Sequence, residues 1–172
     1  MSHAPAPPSG TPSPTVLVVD DDAAVVTLCK TILQQAGCSV LSAAGSSEAL
    51  KICKGHKGSI DLLVADLVLP PPEFSFASSE NEFPHVHGHE LAFRALRMRT
   101  DLRVILMSGN IENELAGYGI RTGSLPFLPK PFDPSDLVSL VKSTLEAPVP
   151  TIVMARHARK PMLDRATLGQ PG

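Results

Sequence analysis

The chain has 172 residues, the size of one domain with tails, and 43% of them are apolar, enough to build a buried core. With 15 basic and 17 acidic residues the formal net charge is −2, and aromatic residues make up 4%, so the composition gives no reason to expect nucleic-acid binding. No apolar run reaches the roughly 18 residues of a membrane helix, and the first residues lack the basic and apolar regions of a signal peptide.

The cysteines favour a reducing, cytoplasmic location. Cys29, Cys38 and Cys53 form no CxxC pair, and an odd number does not fit a closed disulfide framework. Cys29 and Cys53 fall within apolar helical patterns, so we expect them to be reduced thiols in the core.

The first half of the chain alternates strand and helix patterns. Residues 1–14 form a Pro-, Ser- and Ala-rich tail that we expect to be disordered. Residues 16–19 are a short apolar run, typical of a strand buried on both faces of a parallel sheet. The next predicted elements are a helix from about 25 to 36 closed by Gly37, a strand over 39–41, a helix over 46–54 capped by Ser46 or Ser47, and a strand over 61–66.

The second half continues the alternation. Its predicted elements are a helix over 90–99, a strand over 103–107, a weaker helix over 110–118, a short strand over 125–128, and a last helix to about Leu145 with Asp133 as its N-cap and Pro134 in its first turn. The order βαβαβαβαβα predicts an α/β fold, in which a doubly wound, five-stranded parallel sheet carries helices on both faces.

Two segments fall outside this scheme. Residues 71–87 make a long connection between the third strand and the third helix. Residues 147–172 contain a basic cluster, which we expect to be a solvated, disordered tail; contact with a partner or a nucleic acid is the alternative. The folded domain is therefore expected to span 15–146, and the tail is too short for a second one.

Acidic and polar residues follow the predicted strands. Asp20 and Asp21 follow the first strand, Asp66 ends the third, Ser108 follows the fourth, and Lys130 follows the fifth. Ligands of open parallel sheets bind beyond the carboxyl ends of the strands, so we expect these side chains to line one pocket. Three close carboxylates repel one another unless a cation lies between them, and hard oxygen ligands favour Mg²⁺. A carboxylate can be a phosphoryl acceptor, with lysine and serine as partners for phosphate oxygens, so this set predicts phosphoryl transfer to an aspartate.

Five motifs in this order resemble the receiver domains of two-component response regulators, the CheY-like family. They are VLVVDDD at 16–22, DLLVADLVLP at 61–70, GHEL at 88–91, ILMSG at 105–109 and FLPKPF at 127–132. The resemblance covers about residues 15–146. It implies the flavodoxin-like (βα)5 fold with strand order 2-1-3-4-5.

The resemblance also implies a metal and a phosphoacceptor. Asp66 would accept the phosphoryl group. Asp21, Asp66 and the backbone carbonyl of Val68 would bind Mg²⁺, and Asp20 would hold the ion through water. Lys130 would pair with the phosphate.

Further roles follow from the same resemblance. Ser108 would be the switch hydroxyl, and Phe127 stands at the aromatic switch position, where a plain core role is equally expected. The Lys130–Pro131 bond is a candidate cis peptide. The implied partners are a histidine kinase or histidine phosphotransfer protein and an output protein that the sequence does not identify.

The segment 71–87 departs from the family pattern, because it makes this connection about fourteen residues longer than usual. We expect a tolerated surface loop, with a lid and a partner-recognition loop as the alternatives. Phe74, Phe76 and Phe83 would allow the segment to dock on the domain. Its alternating histidines at 85, 87 and 89 raise the possibility of zinc, but no further cluster completes a tetrahedral site, so we expect solvated loop histidines.

The leading functional hypothesis is a phosphorylation-controlled switch. A phosphotransfer intermediate and the receiver of a hybrid histidine kinase remain as alternatives with the same chemistry. An Asp-nucleophile phosphatase usually carries a second carboxylate two residues after the nucleophile, where this chain has Val68, so turnover of external substrates is disfavoured. A nucleotide or flavin binder is disfavoured because no GxGxxG follows the first strand.

Overall fold

The computed structural model describes residues 12–71, 82–109 and 125–149. These residues form a parallel sheet covered by helices on both faces. The strands are β1 (Thr15–Val19), β2 (Ser39–Ala43), β3 (Leu62–Asp66), β4 (Arg103–Ser108) and β5 (Phe127–Pro129). The described helices are α1 (Ala23–Gln35), α2 (Ser46–Gly55), α3 (Gly88–Met98) and α4 (Pro134–Glu146).

The sheet has the order β2-β1-β3-β4-β5, and every pairing is parallel, so the predicted fold class and strand order are confirmed. In register, Val16 of β1 lies between Val40 of β2 and Leu62 of β3. The apolar residues of β1 and β3 are completely buried, which explains why these strands are uninterrupted apolar runs rather than alternating patterns.

Two core layers lie on opposite faces of the sheet. One layer joins the sheet to α2 and α3 through residues such as Leu50 and Leu91. The other joins it to α1 and α4 through residues such as Leu33 and Leu137. This layering leaves the carboxyl ends of the strands open at one edge, where ligands of such sheets bind.

Local sequence signals fix two of the helices as predicted. Asp22 is the N-cap of α1, and its carboxylate accepts the Ala24 N–H at 2.8 Å. Gly37 follows this helix with φ of 89°, a conformation that glycine adopts without steric cost. Asp133 is the N-cap of α4 with Pro134 as its first residue, and the Asp133 N–H donates to the Asp136 carboxylate at 3.2 Å.

The prediction for the start of α2 was wrong. Gly45, in extended conformation, is the N-cap, and Ser46 is the first helical residue. The side-chain hydrogen bond near the start of this helix comes from Glu48, whose carboxylate accepts the Ala44 N–H at 2.9 Å. The Ser46 hydroxyl is instead buried and bonded to a distant part of the chain.

The thiol prediction is confirmed for the core cysteines, since Cys29 and Cys53 are free and buried and Cys38 is half-buried. Among the described residues, no helix is both long and apolar enough to cross a membrane. The predicted helix over 110–118, Phe74, Phe76, most of the N-terminal tail and residues 150–172 lie outside the described ranges.

Candidate functional site

Three carboxylates meet at the carboxyl ends of two neighbouring strands. Asp20 and Asp21 follow β1, and Asp66 is the last residue of β3, which pairs directly with β1. One carboxylate oxygen from each of the three lies within 4.8 Å of the others. The fold therefore brings Asp66 together with acids that are 45 and 46 residues earlier in the sequence.

Lys130 bridges two of these carboxylates. Its Nζ donates to Oδ2 of Asp20 at 2.6 Å and to Oδ2 of Asp66 at 2.8 Å. The lysine directly follows β5, and its backbone N–H donates to the Ser108 carbonyl at 2.7 Å, which ties it to the end of β4. The following Lys130–Pro131 bond is cis, as the sequence resemblance implied.

Backbone amides hold the other oxygen of each bridged carboxylate. Oδ1 of Asp20 accepts the Asp22 N–H at 2.9 Å, and Oδ1 of Asp66 accepts the Val68 N–H at 3.1 Å. In each of these two carboxylates, one oxygen accepts a backbone N–H and the other accepts a hydrogen bond from Lys130. Four hydrogen bonds fix the two carboxylate planes, which is the preorganisation that a metal or phosphoryl site needs.

Burial differs sharply among the acids. The side chain of Asp20 is 1% exposed and that of Asp66 is 14% exposed, whereas Asp21 is exposed to solvent. Burial raises the pKa of the Asp20 carboxyl despite the opposing hydrogen bond from Lys130. Burial lowers the pKa of Lys130, but its hydrogen bonds to Asp20 and Asp66 outweigh this effect, and the net pKa is raised. Lys130 is therefore charged at neutral pH.

The donor set fits a hard divalent cation. Three carboxylates against one ammonium leave a formal charge of −2 at the cluster, and an added cation would offset that repulsion. The exposed Asp21 provides access from solvent. All the candidate side-chain donors are oxygens, which suits a hard divalent cation rather than a softer metal.

Ser108 and Phe127 occupy the neighbouring strands. Ser108 is the last residue of β4, is completely buried, and pairs in register with Pro129. Phe127 begins β5, pairs with Leu106, and lies half-buried against the core layer that contains α2 and α3. Ser108 therefore lies on the strand whose end is bonded to Lys130, and Phe127 lies on the strand that Lys130 follows.

The histidines at 85, 87 and 89 do not converge on a metal position. Among the described residues, the only group of three potential ligands is the acidic cluster of Asp20, Asp21 and Asp66. The His85 and His87 rings are edge to face with centroids 5.7 Å apart. All three histidines are half-buried rather than solvated: His85 and His87 lie in the segment 82–87, which packs against the domain, and His89 lies in α3.

Gly88 has a role that the sequence did not reveal. A Cβ added to it would lie 1.9 Å from the carbonyl oxygen of Asp66, and its N–H donates to the Leu67 carbonyl at 3.0 Å. The backbone at the start of α3 therefore packs directly on the peptide that carries Asp66. The helix was predicted from residue 90, and only the fold shows that it begins at Gly88 and makes this contact.

Known proteins resemble this chain in sequence. A family model described as the response regulator receiver domain matches residues 16–73. The DNA-binding transcriptional regulator NtrC of Azospirillum brasilense is 31% identical over 144 residues; the match covers 84% of this chain and 27% of the regulator. The chain thus spans about a quarter of that relative.

Solved structures extend the comparison to three dimensions. The response regulator receiver protein from Sinorhizobium medicae WSM419 shares the fold, with a TM-score of 0.63 at 24% identity over 79% of this chain and 97% of that one. The receiver domain of the hybrid histidine kinase CckA is 31% identical with a TM-score of 0.57, over 76% of this chain and 98% of that domain. This chain belongs to the response regulator receiver domain family.

Proposed function

We propose that this chain is the phosphoacceptor of a two-component phosphorelay, and that Asp66 accepts a phosphoryl group in the presence of Mg²⁺. The observation that carries the proposal is the bridge from Lys130 to Asp20 and Asp66, beside the exposed Asp21. The Lys130 ammonium, fixed beside the carboxylates, can hold an anionic phosphoryl group close to a carboxylate nucleophile.

Asp66 is the nucleophile in this proposal. One of its carboxylate oxygens forms a bond to phosphorus while the bond from phosphorus to the donor breaks, and the donor leaves with the electron pair. The hydrogen bonds from Val68 N–H and Lys130 orient that carboxylate before the donor arrives. The product is an acyl phosphate on Asp66, and no external substrate is turned over.

The acidic cluster holds the metal. Asp21, Asp66 and the backbone carbonyl of Val68 would bind Mg²⁺, and the buried Asp20 would hold it through water. The Val68 N–H contact with Asp66 keeps the Val68 backbone beside that carboxylate. When bound, Mg²⁺ offsets the negative charge of the carboxylates and of the incoming phosphoryl group.

Lys130 and Ser108 respond to the phosphate. Lys130 exchanges its contact with Asp66 for a phosphate oxygen, and Ser108 supplies a hydroxyl from the end of β4. Both residues are joined through the backbone bond between Lys130 N–H and Ser108 carbonyl, so a shift at one reaches the other. Phe127 lies on the adjacent strand, where it can report that shift by changing its packing.

The partners in this proposal are proteins. Receiver domains are signalling domains rather than turnover enzymes, and the phosphodonor would be a histidine kinase or a histidine phosphotransfer protein. The output is a change in binding to another protein, in the cytoplasm. Val68, two residues after Asp66, supplies no acid or base for rapid hydrolysis of external phosphate esters, which weighs against a phosphatase.

A relay role within a hybrid kinase is the second candidate. It is favoured by the 31% identity to the receiver domain of the hybrid histidine kinase CckA. This chain covers 98% of that receiver domain. The chemistry at Asp66 is the same in both roles. The two differ in whether the phosphoryl group stays on Asp66 or passes to a histidine.

Incubation with acetyl phosphate tests the shared chemistry. We expect wild-type protein with Mg²⁺ to gain one adduct of about 80 Da, the mass of a phosphoryl group, by intact-mass spectrometry. Chelation with EDTA and the variant Asp66→Asn should each abolish the adduct. An adduct of the same yield in Asp66→Asn would contradict the proposal.

The decay of the adduct separates the two roles. A switch keeps its phosphoryl group when a histidine phosphotransfer protein is added, whereas a relay intermediate loses it to that protein. Ser108→Ala should still form the adduct, because Ser108 is not the nucleophile. Its amide NMR spectrum should shift less on phosphorylation than that of wild type.

A further inference from the structure

The end of the long connection, residues 82–87, packs on α2, and we refer to it as the strap. Phe83 and Val86 are each 8% exposed and belong to the core layer that contains α2 and α3. The strap is therefore a built part of the domain rather than a solvated loop.

A buried hydrogen bond anchors the strap at its inner end. The Val86 N–H donates to the hydroxyl oxygen of Ser46 at 2.9 Å, and Ser46 is completely buried. Nδ1 of His85 lies 3.4 Å from the same hydroxyl. The bond joins residues that are 40 apart in the sequence. Because the bond is buried, removing the Ser46 hydroxyl would leave the Val86 N–H in the core without its partner.

A second, exposed anchor lies at the outer end. Lys54 of α2 forms an ion pair with Glu82, and its Nζ lies 5.8 Å from the centre of the Phe83 ring. Both charged side chains are more than half exposed, so solvent weakens this pair. The buried bond at Ser46 is therefore the stronger anchor.

The first residue of α3, Gly88, directly follows the strap and packs against the backbone of Asp66. Gly88 follows Val86 by two residues, and its backbone packs so closely on the Asp66 carbonyl that even one methyl group would not fit. The Gly88 N–H also holds the Leu67 carbonyl. A movement of Val86 away from Ser46 would therefore act on the Asp66–Leu67 peptide through this contact.

We infer that Ser46 is a positioning residue for Asp66, acting through Val86 and Gly88. The inference rests on the proposed function for the identity of the reaction, and it adds a residue outside the acidic site. The Ser46 hydroxyl fixes the position of Val86 in the strap, and the strap fixes the position of Gly88. Gly88 in turn packs on the Asp66 carbonyl and so sets the position of the Asp66 peptide. The carboxylate is then held where the metal and the phosphoryl group need it.

The variant Ser46→Ala tests this inference. We expect it to raise the Mg²⁺ Kd and to slow phosphorylation by acetyl phosphate, each by about three- to tenfold, because small misplacements of a reacting group are costly. Hydrogen exchange at the Val86 and Gly88 amides should accelerate. Ser47→Ala is the matched control, since Ser47 is the next residue of α2 and is only half-buried; it should match wild type.

A second control separates positioning from loss of stability. Val141→Ala opens a small cavity in the core layer on the opposite face of the sheet, away from the strap. It should lower the free energy of unfolding while leaving the Mg²⁺ Kd near that of wild type. Equal weakening of Mg²⁺ binding in Ser46→Ala and Val141→Ala would overturn the inference, as would a Ser46→Ala protein with wild-type Kd and rate.

Wild-type protein supplies a test that does not depend on any variant folding. If the strap and the metal site are coupled, the coupling is reciprocal, so saturating Mg²⁺ should slow hydrogen exchange at the Val86 amide. Unchanged exchange at Val86 would overturn the inference. If wild type forms no phosphoryl adduct but Ser46→Ala still weakens Mg²⁺ binding, the proposed function fails and the positioning role stands.

Discussion

Lys130 and Asp66 lie 64 residues apart in the sequence, and Nζ of Lys130 donates to Oδ2 of Asp66 at 2.8 Å. The same ammonium contacts Oδ2 of Asp20. This bridge partly neutralises the acidic cluster, and it occupies one oxygen of each of these two carboxylates. We therefore expect Lys130 to have opposite effects on the two ligands that we propose for the site, opposing Mg²⁺ and favouring phosphate.

Replacing the lysine separates these effects. We expect Lys130→Met to lower the Mg²⁺ Kd by at least about threefold, because a nearby positive charge is removed. Phosphorylation by acetyl phosphate should slow by at least about tenfold, because a donor to the phosphoryl oxygens is lost. Isothermal titration and intact-mass kinetics measure the two quantities.

Lys142→Met is the control for this prediction, since Lys142 is an exposed cation on α4. It should leave both the Kd and the rate near wild type. Weaker Mg²⁺ binding in Lys130→Met would show that the lysine supports the metal site rather than competing with it.

Gly88 is expected to be intolerant of any side chain. In Gly88→Ala the new methyl group would collide with the Asp66 carbonyl oxygen, which is a backbone atom with no freedom to move aside. We expect the free energy of unfolding in urea to fall by about 1–3 kcal/mol, the usual cost of overpacking, and Mg²⁺ binding to weaken with it.

Gly45→Ala provides the comparison, since a Cβ at Gly45 meets no atom within 4 Å. Its free energy of unfolding should fall by no more than about 1 kcal/mol, the usual cost of a poorer N-cap, because no atom blocks the added methyl group. Equal stability losses in the two variants would contradict the close packing of Gly88 on Asp66.

The thiols should differ in reactivity. Burial raises the pKa of Cys29 to about 11, and burial also raises the pKa of Cys53 and Cys38. At pH 8 only about one Cys29 in a thousand is then a thiolate. Iodoacetamide should therefore label the half-buried Cys38 before Cys29 and Cys53.

The pH dependence of this labelling has a definite sign. Because the folded state holds the Cys29 proton more tightly than the unfolded chain, labelling of native Cys29 should keep rising by about tenfold per pH unit until about pH 11, whereas labelling of the unfolded chain should level off at lower pH. In urea all three cysteines should react at similar rates. Native Cys29 that reacts as fast as Cys38 at pH 8 would show that its helix opens readily.

The central sheet and its acidic edge could be predicted because their signals are local. An uninterrupted apolar run such as 16–19 indicates a strand covered on both sides, and the acids after it must then lie at the carboxyl edge. Asp133 with Pro134 predicted the start of α4 for the same reason, since a helix cap depends only on its neighbours.

The role of Ser46 could not be predicted, because its partner is 40 residues away. A serine before an apolar helical pattern is typical of an N-cap, and here a tertiary bond takes the hydroxyl instead. The apolar character of Phe83 allowed for docking on the domain, and Phe83 is buried, but a surface loop was the favoured expectation for this segment. His85 and His87 of the strap were wrongly expected to be solvated, since both are half-buried.

Locating the phosphoryl group on the chain tests the central claim most directly. After incubation with acetyl phosphate and Mg²⁺, borohydride reduces an aspartyl phosphate to homoserine, which peptide mass spectrometry can locate. We predict homoserine at position 66 alone. Homoserine at another acid, or a stable adduct on serine or histidine with Asp66 unmodified, would contradict the account.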